Sequence, residues 1–131
     1  YLFERLEGFF FFFRKRDTNE ISVVMFDIDK FKDINDTFGH YTGDQILVEI
    51  VHTIQFMIRD DDTVARLGGE EFMILLPHTS KADAAVFAER VRVAIEQLSR
   101  RDMKVTVSVG VAQWDGTETA DSLYIRVDDL T

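Results

Sequence analysis

Ile21-Ser22-Val23-Val24-Met25-Phe26-Asp27-Ile28-Asp29 is the stretch on which the reading of this chain turns. A β-branched apolar run that stops abruptly in two acids reads as a buried strand over 21–26 with carboxylates at its C-terminal end. Working downstream, Phe31 to Phe38 reads as a short helix or helical turn closed by Gly39. Asp44 then opens a long helix whose apolar stripe is Ile46, Leu47, Ile50, Val51, Ile54, Met57 and Ile58. Residues 63–67 and 72–76 read as two strands joined by Gly68-Gly69-Glu70-Glu71, a hairpin signal, and Pro77 stops the second. Residues 81–98 form an amphipathic helix with Ala85, Ala88, Val91, Ala94, Ile95 and Leu98 inward, and 105–111 read as a central strand. A weak helix begins at Ala120.

Upstream, residues 1–16 read as a helix, with Phe3, Leu6, Phe10 and Phe13 at helical spacing. Residues 9–13 are all phenylalanine and cover the whole circumference of a helix. Packing against an upstream helix or a second chain is the preferred reading of that run over a membrane-surface helix, because no clean amphipathic split exists. The element order is helix, β-α-β-β-α-β, helix. Short connections and right-handed crossovers make this a ferredoxin-like, palm-type α/β fold (an α+β sandwich). Its central antiparallel sheet is flanked by helices, with an extra N-terminal helix, in a single domain over 1–131. The topology makes the first strand and the second hairpin strand antiparallel neighbours. It predicts that Asp27, Asp29, Glu70 and Glu71 converge at one sheet edge.

The 131 residues suit one domain. Fifteen Lys and Arg against 24 Asp and Glu leave a net charge of −9, the wrong sign for a nucleic-acid binder led by backbone electrostatics. No cysteine is present, which removes disulfide scaffolds and thiolate sites. No apolar run is long enough to span a membrane. The chain starts at Tyr1, and a longer parent protein is expected.

Like charges brought together require a cation or a proton. Hard oxygen ligands at a strand end, beside a glycine turn, suit Mg²⁺ with substrate phosphates completing its shell, and such sites support in-line attack of a hydroxyl on a phosphate. Taken singly, Asp-x-Asp reads as a turn and helix cap, and Gly-Gly as a tight hairpin. Their juxtaposition favours metal-phosphate chemistry. His40, His52 and His78 show no ligand spacing, and Trp114 reads as a core lid.

The run Asp27-Ile28-Asp29-Lys30-Phe31-Lys32-Asp33-Ile34-Asn35-Asp36-Thr37-Phe38-Gly39-His40, with Gly43-Asp44 and Ala65-Arg66-Leu67-Gly68-Gly69-Glu70-Glu71-Phe72, resembles the GGDEF family of diguanylate cyclases. Val105-Thr106-Val107-Ser108-Val109-Gly110-Val111-Ala112 resembles that family's final strand. The resemblance implies condensation of two GTP into cyclic di-GMP and two pyrophosphates, at the interface of two domains. It implies that Asp27, the Ile28 carbonyl and Glu70 hold Mg²⁺ (or Mn²⁺). Glu71 helps bind metal or deprotonates the 3′-hydroxyl. Asn35 and Asp44 read guanine, Gly68 and Gly69 let backbone approach phosphate, and Phe31 and Lys32 lie on a loop wrapping the phosphates, with Lys32 neutralising charge. Arg59 and Asp62, in Arg-x-x-Asp five residues before Gly68, form a product-binding inhibitory site, joined by Arg90 from a neighbouring domain.

Implied partners are GTP, cyclic di-GMP, a second copy of the domain and an upstream sensory or regulatory domain, with no nucleic acid. The implied location is the cytoplasm, whether or not the parent protein carries a membrane anchor. The chain departs from the family where a C-terminal Ala-Lys and Gly-Arg-Asn usually follow, leaving Arg126 as the nearest phosphate-gripping candidate. Beside the active cyclase stands a second expectation, a catalytically weak or idle domain that binds cyclic di-GMP or GTP as a regulatory module. The intact Gly-Gly-Glu-Glu-Phe signature favours the enzyme.

Overall fold

The computed structural model describes residues 20–117, 119, 122, 123, 125 and 126. The expected helix over 1–16 and its phenylalanine run lie outside the described residues. Strand β1 (Ile21–Ile28) is followed by helices α1 (Phe31–Phe38) and α2 (His40–Gln55). Strands β2 (Thr63–Gly68) and β3 (Glu71–Pro77), helix α3 (Lys81–Glu96) and strand β4 (Val107–Gln113) complete the order. The four-stranded sheet runs β2-β3-β1-β4, with every neighbouring pair antiparallel. This is the ferredoxin-like, palm-type arrangement that the sequence leads one to expect.

Strand β1 lies at the centre and is buried almost throughout, which is why it reads as a continuous apolar run and not as an alternating one. Strand alternation sends Val24, Phe26 and Ile28 to the helical side, where they meet Phe72, Ile74 and Leu76 of β3. Ile46, Ile50 and Ile54 from α2 and Ala84, Ala88, Val91 and Ile95 from α3 close that core. Ile21, Val23 and Met25 point to the opposite side and pack with Met73, Leu75, Ala112, Trp114 and Leu123. Trp114 is therefore a core residue, as expected. Ser22 is fully buried on β1, and its hydroxyl donates to the Thr79 carbonyl at 2.7 Å, which offsets its desolvation.

Several boundaries move, each for a local reason. Helix α2 starts at His40 and not at Asp44, because Gly39 turns the chain directly from α1 into α2. Its φ of 93° is open to glycine, its N–H closes α1 on the Asn35 carbonyl at 2.9 Å, and its own carbonyl accepts from Gly43 N–H at 3.1 Å. Met57 and Ile58 follow the end of α2 yet still pack against the core. In α3 the inward stripe is Ala84, Ala88, Val91 and Ile95, so Ala85 is exposed. Ser80 caps α3, its hydroxyl accepting from Asp83 N–H at 3.1 Å, a bond worth about 1 kcal/mol. Strand β4 begins at Val107 because Val105 N–H donates to the Ser99 hydroxyl at 2.8 Å and not to a ladder partner. Of the helix expected from Ala120, residues 122, 123, 125 and 126 are described and are helical.

Candidate functional site

Asp27 is the second-last residue of β1, and Glu71 is the first of β3; the register sets them directly opposite. Ile28 N–H donates to the Glu70 carbonyl at 3.1 Å, so the Asp27–Glu71 rung is a narrow, non-hydrogen-bonded one. In such a rung opposed Cβ atoms stand about 4.5–5.5 Å apart, and like charges there destabilise the sheet. Asp27 Oδ1 is sealed from solvent, which raises that cost. The Ile28 carbonyl points to the same side of its strand as its N–H, toward the turn that carries Glu70. Glu70 itself is exposed.

The turn between β2 and β3 is built for close approach. Gly69 has a φ of 48°, and a Cβ at either Gly68 or Gly69 would meet nothing within 4 Å. Arg66 Nε braces the turn by donating to the Gly69 carbonyl at 2.8 Å, a role that the sequence did not reveal.

The expectation of four converging carboxylates needs correction. Asp29 accepts from the Thr106 hydroxyl at 2.8 Å and the Ser108 hydroxyl at 2.5 Å, and is thereby committed to β4. Among the described residues no three His, Asp or Glu side chains form a cluster ready to hold a metal. The corner therefore offers the facing pair Asp27 and Glu71, the Glu70 carboxylate in the turn and the Ile28 carbonyl.

Phe31 and Lys32 form the first turn of α1 and are not on a loop, which corrects the second expectation. The Phe31 ring is buried in the core, so only its backbone can meet a ligand. The first intrahelical bond is Ile34 N–H to the Lys30 carbonyl, 3.2 Å, leaving the N–H groups of Phe31, Lys32 and Asp33 ahead of it. Such groups suit phosphate oxygens. The Lys32 side chain is exposed. On the other side of α1, Asn35 lies against Gly43 of α2, where an added Cβ would sit 1.9 Å from Asn35 Oδ1 and 3.3 Å from Phe31 Cζ. Gly43 thus lets α1 approach α2 and brings Asn35 beside the exposed Asp44.

A second constellation lies at the opposite end of β3, about 20 Å from Glu71 by strand rise. Arg59, Asp62 and Arg90 line one cavity of about 250 Å³ together with Met57, His78 and Thr79. Asp62 has a side chain only 3% exposed, and it accepts from Arg59 N–H at 2.8 Å and from Arg59 Nη2 at 3.3 Å. Arg59 Nη2 also donates to the Thr79 hydroxyl at 2.7 Å and the Pro77 carbonyl at 3.0 Å. The guanidinium is held along its Nε–Nη2 edge. Thr79 was not legible in the sequence. Arg126 Nη2 donates to the Gln113 carbonyl at 2.7 Å. That is the end of β4 remote from Asp27, so Arg126 does not stand in for the phosphate-gripping cations.

An antiparallel palm with facing carboxylates at a strand end, an open glycine turn and a helix start beside it defines the class of nucleotide-handling palm domains. The family profile described as "Diguanylate cyclase, GGDEF domain" matches residues 1–131, and the chain belongs to this family. It is 42% identical over 111 residues to diguanylate cyclase DgcM of Escherichia coli, covering 84% of this chain and 27% of that protein. It is 42% identical over 119 residues to diguanylate cyclase A of Treponema denticola, covering 87% of this chain and 32% of that protein. The chain thus spans about a third or less of these relatives. Among solved structures, the GGDEF domain of DgcB from Caulobacter crescentus in complex with c-di-GMP superposes with a TM-score of 0.87 at 32% identity, over 96% of this chain and 77% of that one. The active GGEEF domain of a diguanylate cyclase from Vibrio cholerae gives 0.85 at 32%, over 96% and 85%. Among the described residues no helix is long and apolar enough to cross a membrane.

Proposed function

We propose that residues 1–131 form one diguanylate cyclase domain that condenses two GTP into cyclic di-GMP and releases two pyrophosphates. The observation that carries this reading is the narrow Asp27–Glu71 rung beside the open backbone of Gly68 and Gly69. An all-oxygen donor set fits a hard cation, Mg²⁺ or Mn²⁺, held by Asp27, the Ile28 carbonyl and Glu70, with Glu71 close by. When bound, that cation supplies charge neutralisation at the phosphates and activation of the attacking hydroxyl.

The chain's own groups do the rest. First-turn N–H groups at Phe31, Lys32 and Asp33 hold phosphate oxygens, and the Lys32 ammonium balances the charge that develops. Asp44 accepts from the guanine N1–H and N2–H₂ edge while Asn35 donates to a ring acceptor. Each 3′-oxygen bonds to the α-phosphorus of the nucleotide on the facing domain as the bond to the bridging α–β oxygen breaks. The hydroxyl proton passes to Glu71, or to water if Glu71 serves as a ligand.

The proposed partners are a second copy of this domain, an upstream regulatory domain in the parent protein, and cyclic di-GMP bound at Arg59 and Arg90. In that product site Asp62 orients Arg59, since its carboxylate is buried against the guanidinium. The proposed setting is the cytoplasm, with no nucleic-acid partner. The completeness of that second cavity favours one other reading, a module that binds cyclic di-GMP without making it.

Incubation with GTP and Mg²⁺ followed by mass spectrometry tests the proposal. Wild type should form cyclic di-GMP, and Asp27→Asn and Glu70→Gln should fall to background with unchanged circular dichroism. Without metal, Asp27→Asn should be as stable as wild type or up to about 1 kcal/mol more so, because it removes a cross-strand repulsion. Full turnover in either variant overturns the reading, and product binding without turnover in wild type selects the module.

A further inference from the structure

We infer that Thr106 and Ser108, acting through Asp29, are positioning residues for the nucleotide-binding turn between β1 and α1. The inference rests on the proposed GTP condensation and assigns Asp29 a duty other than holding a cation.

The start of α1 has no side-chain cap of its own. Its N-cap is Lys30, which makes no side-chain capping bond and adopts φ 54° and ψ 37°, a left-handed conformation disfavoured for a residue with a Cβ. Packing anchors the flanks, Ile28 and Phe31, but not the two residues between them, since Asp29 and Lys30 border a cavity of about 560 Å³ shared with Lys104 and Thr106. The hold comes from Thr106, just ahead of β4, and from Ser108 within it. Asp29 N–H donates to the Thr106 carbonyl at 2.9 Å. Its two carboxylate oxygens accept separately, one from the Thr106 hydroxyl at 2.8 Å and the other from the Ser108 hydroxyl at 2.5 Å. Residues 106 and 108 are two apart on an extended segment and so present their side chains to one face. The register fixes which face: Ser108 stands opposite Asp27, in one row with Glu71.

The arrangement has two effects. Two hydroxyl donors satisfy the Asp29 charge without a cation, which leaves a cation to the Asp27 and Glu70 side of the corner. Tying residue 29 to β4 also fixes the disfavoured Lys30 and, through it, the first-turn N–H groups. Releasing the tie should weaken nucleotide binding more than it slows chemistry.

The test uses the whole chain with two paired variants: Thr106→Val with Ser108→Ala, which deletes both hydroxyls, and Thr106→Ser with Ser108→Thr, which keeps both. Deletion should raise the apparent KM for GTP by about tenfold, the order expected for lost hydrogen bonds to a charged group, with kcat little changed. Amide hydrogen exchange should quicken at Asp29 and Ile34, whose N–H groups are bonded on either side of the turn, and stay slow at Val91 and Ile95 in α3. The hydroxyl-keeping pair should behave as wild type in both measurements. Wild-type KM in the deletion pair, a fall in kcat at constant KM, or exchange that quickens throughout the domain would each overturn the inference. If wild type makes no product from GTP, the condensation reading fails by itself. Exchange at Asp29 and Ile34 then decides the strap, and an unchanged rate at both refutes it.

Discussion

Phe26 and Phe72 stack one rung inside the Asp27–Glu71 pair, with ring centroids 5.1 Å apart and planes inclined by 10°. Both rings are fully buried, on the face of the sheet opposite the carboxylates. A one-residue slip between β1 and β3 would expose that stack and turn the carboxylates to the wrong face. Phe72→Ala should cost about 3–5 kcal/mol of stability. In protein still folded at low temperature, product formation should fall as well, because the rung loses its register. Thermal melts paired with turnover at 10 °C measure both, and full activity per folded molecule would refute the link.

Gly43 gives the sharpest steric forecast. Gly43→Ala drives a methyl into Asn35 Oδ1, so Asn35 must leave its place beside Asp44. Overpacking of this kind costs about 1–3 kcal/mol. Preference for GTP over ATP should fall, as it should in Asp44→Ser, where the guanine donors lose a partner worth about 1–3 kcal/mol. Competition kinetics with the two nucleotides measure the ratio. Unaltered selectivity in both variants would mean that guanine is read elsewhere.

At the other end of β3, Arg59→Ala should weaken cyclic di-GMP binding by about tenfold or more, since a charged donor is lost. Thr79→Val should weaken it less, because Asp62 and the Pro77 carbonyl still hold the guanidinium. Initial turnover in both should stay near the wild-type rate, given the separation from Asp27. Calorimetric titration with the product measures affinity, and equal binding by wild type and Arg59→Ala would refute the site.

The proposed condensation takes two domains facing each other, and each copy carries a net charge of −9. Mutual repulsion disfavours the encounter at low salt, within a Debye length of about 10 Å at 0.1 M. Turnover per domain should therefore rise with protein concentration. Fusing a dimeric coiled coil ahead of Tyr1 should raise it further by increasing effective concentration. A stable dimer at low micromolar concentration with constant specific activity would count against this.

The adjacency of Asp27 and the glycine turn was legible because strand order and crossover handedness leave few alternatives once β1 and the hairpin are recognised. Asp29 misled, since its direction depends on two hydroxyls nearly eighty residues downstream that nothing local announces. The same holds for Thr79, twenty residues beyond Arg59. Asp44 looked like a helix start because an acid commonly opens a helix. The reversal at Gly39 had already begun α2 four residues earlier. Phe31 belonged to a motif and to the core at once, and only packing distinguishes those uses.

The corner that carries the proposed chemistry joins the two extremes of the sheet's burial. Asp27 and Ile28 end a strand buried on both faces and paired on both sides, which can open only when the domain unfolds. Glu70 and Gly69 sit in a turn whose other arm, β2, is a partly exposed edge strand with a register shift between Arg66 and Gly68. One side of the corner thus melts with the whole molecule, and the other can fray while the rest stays folded. On warming, the proposed turnover should therefore fall before the domain denatures, and cooling should restore it without refolding.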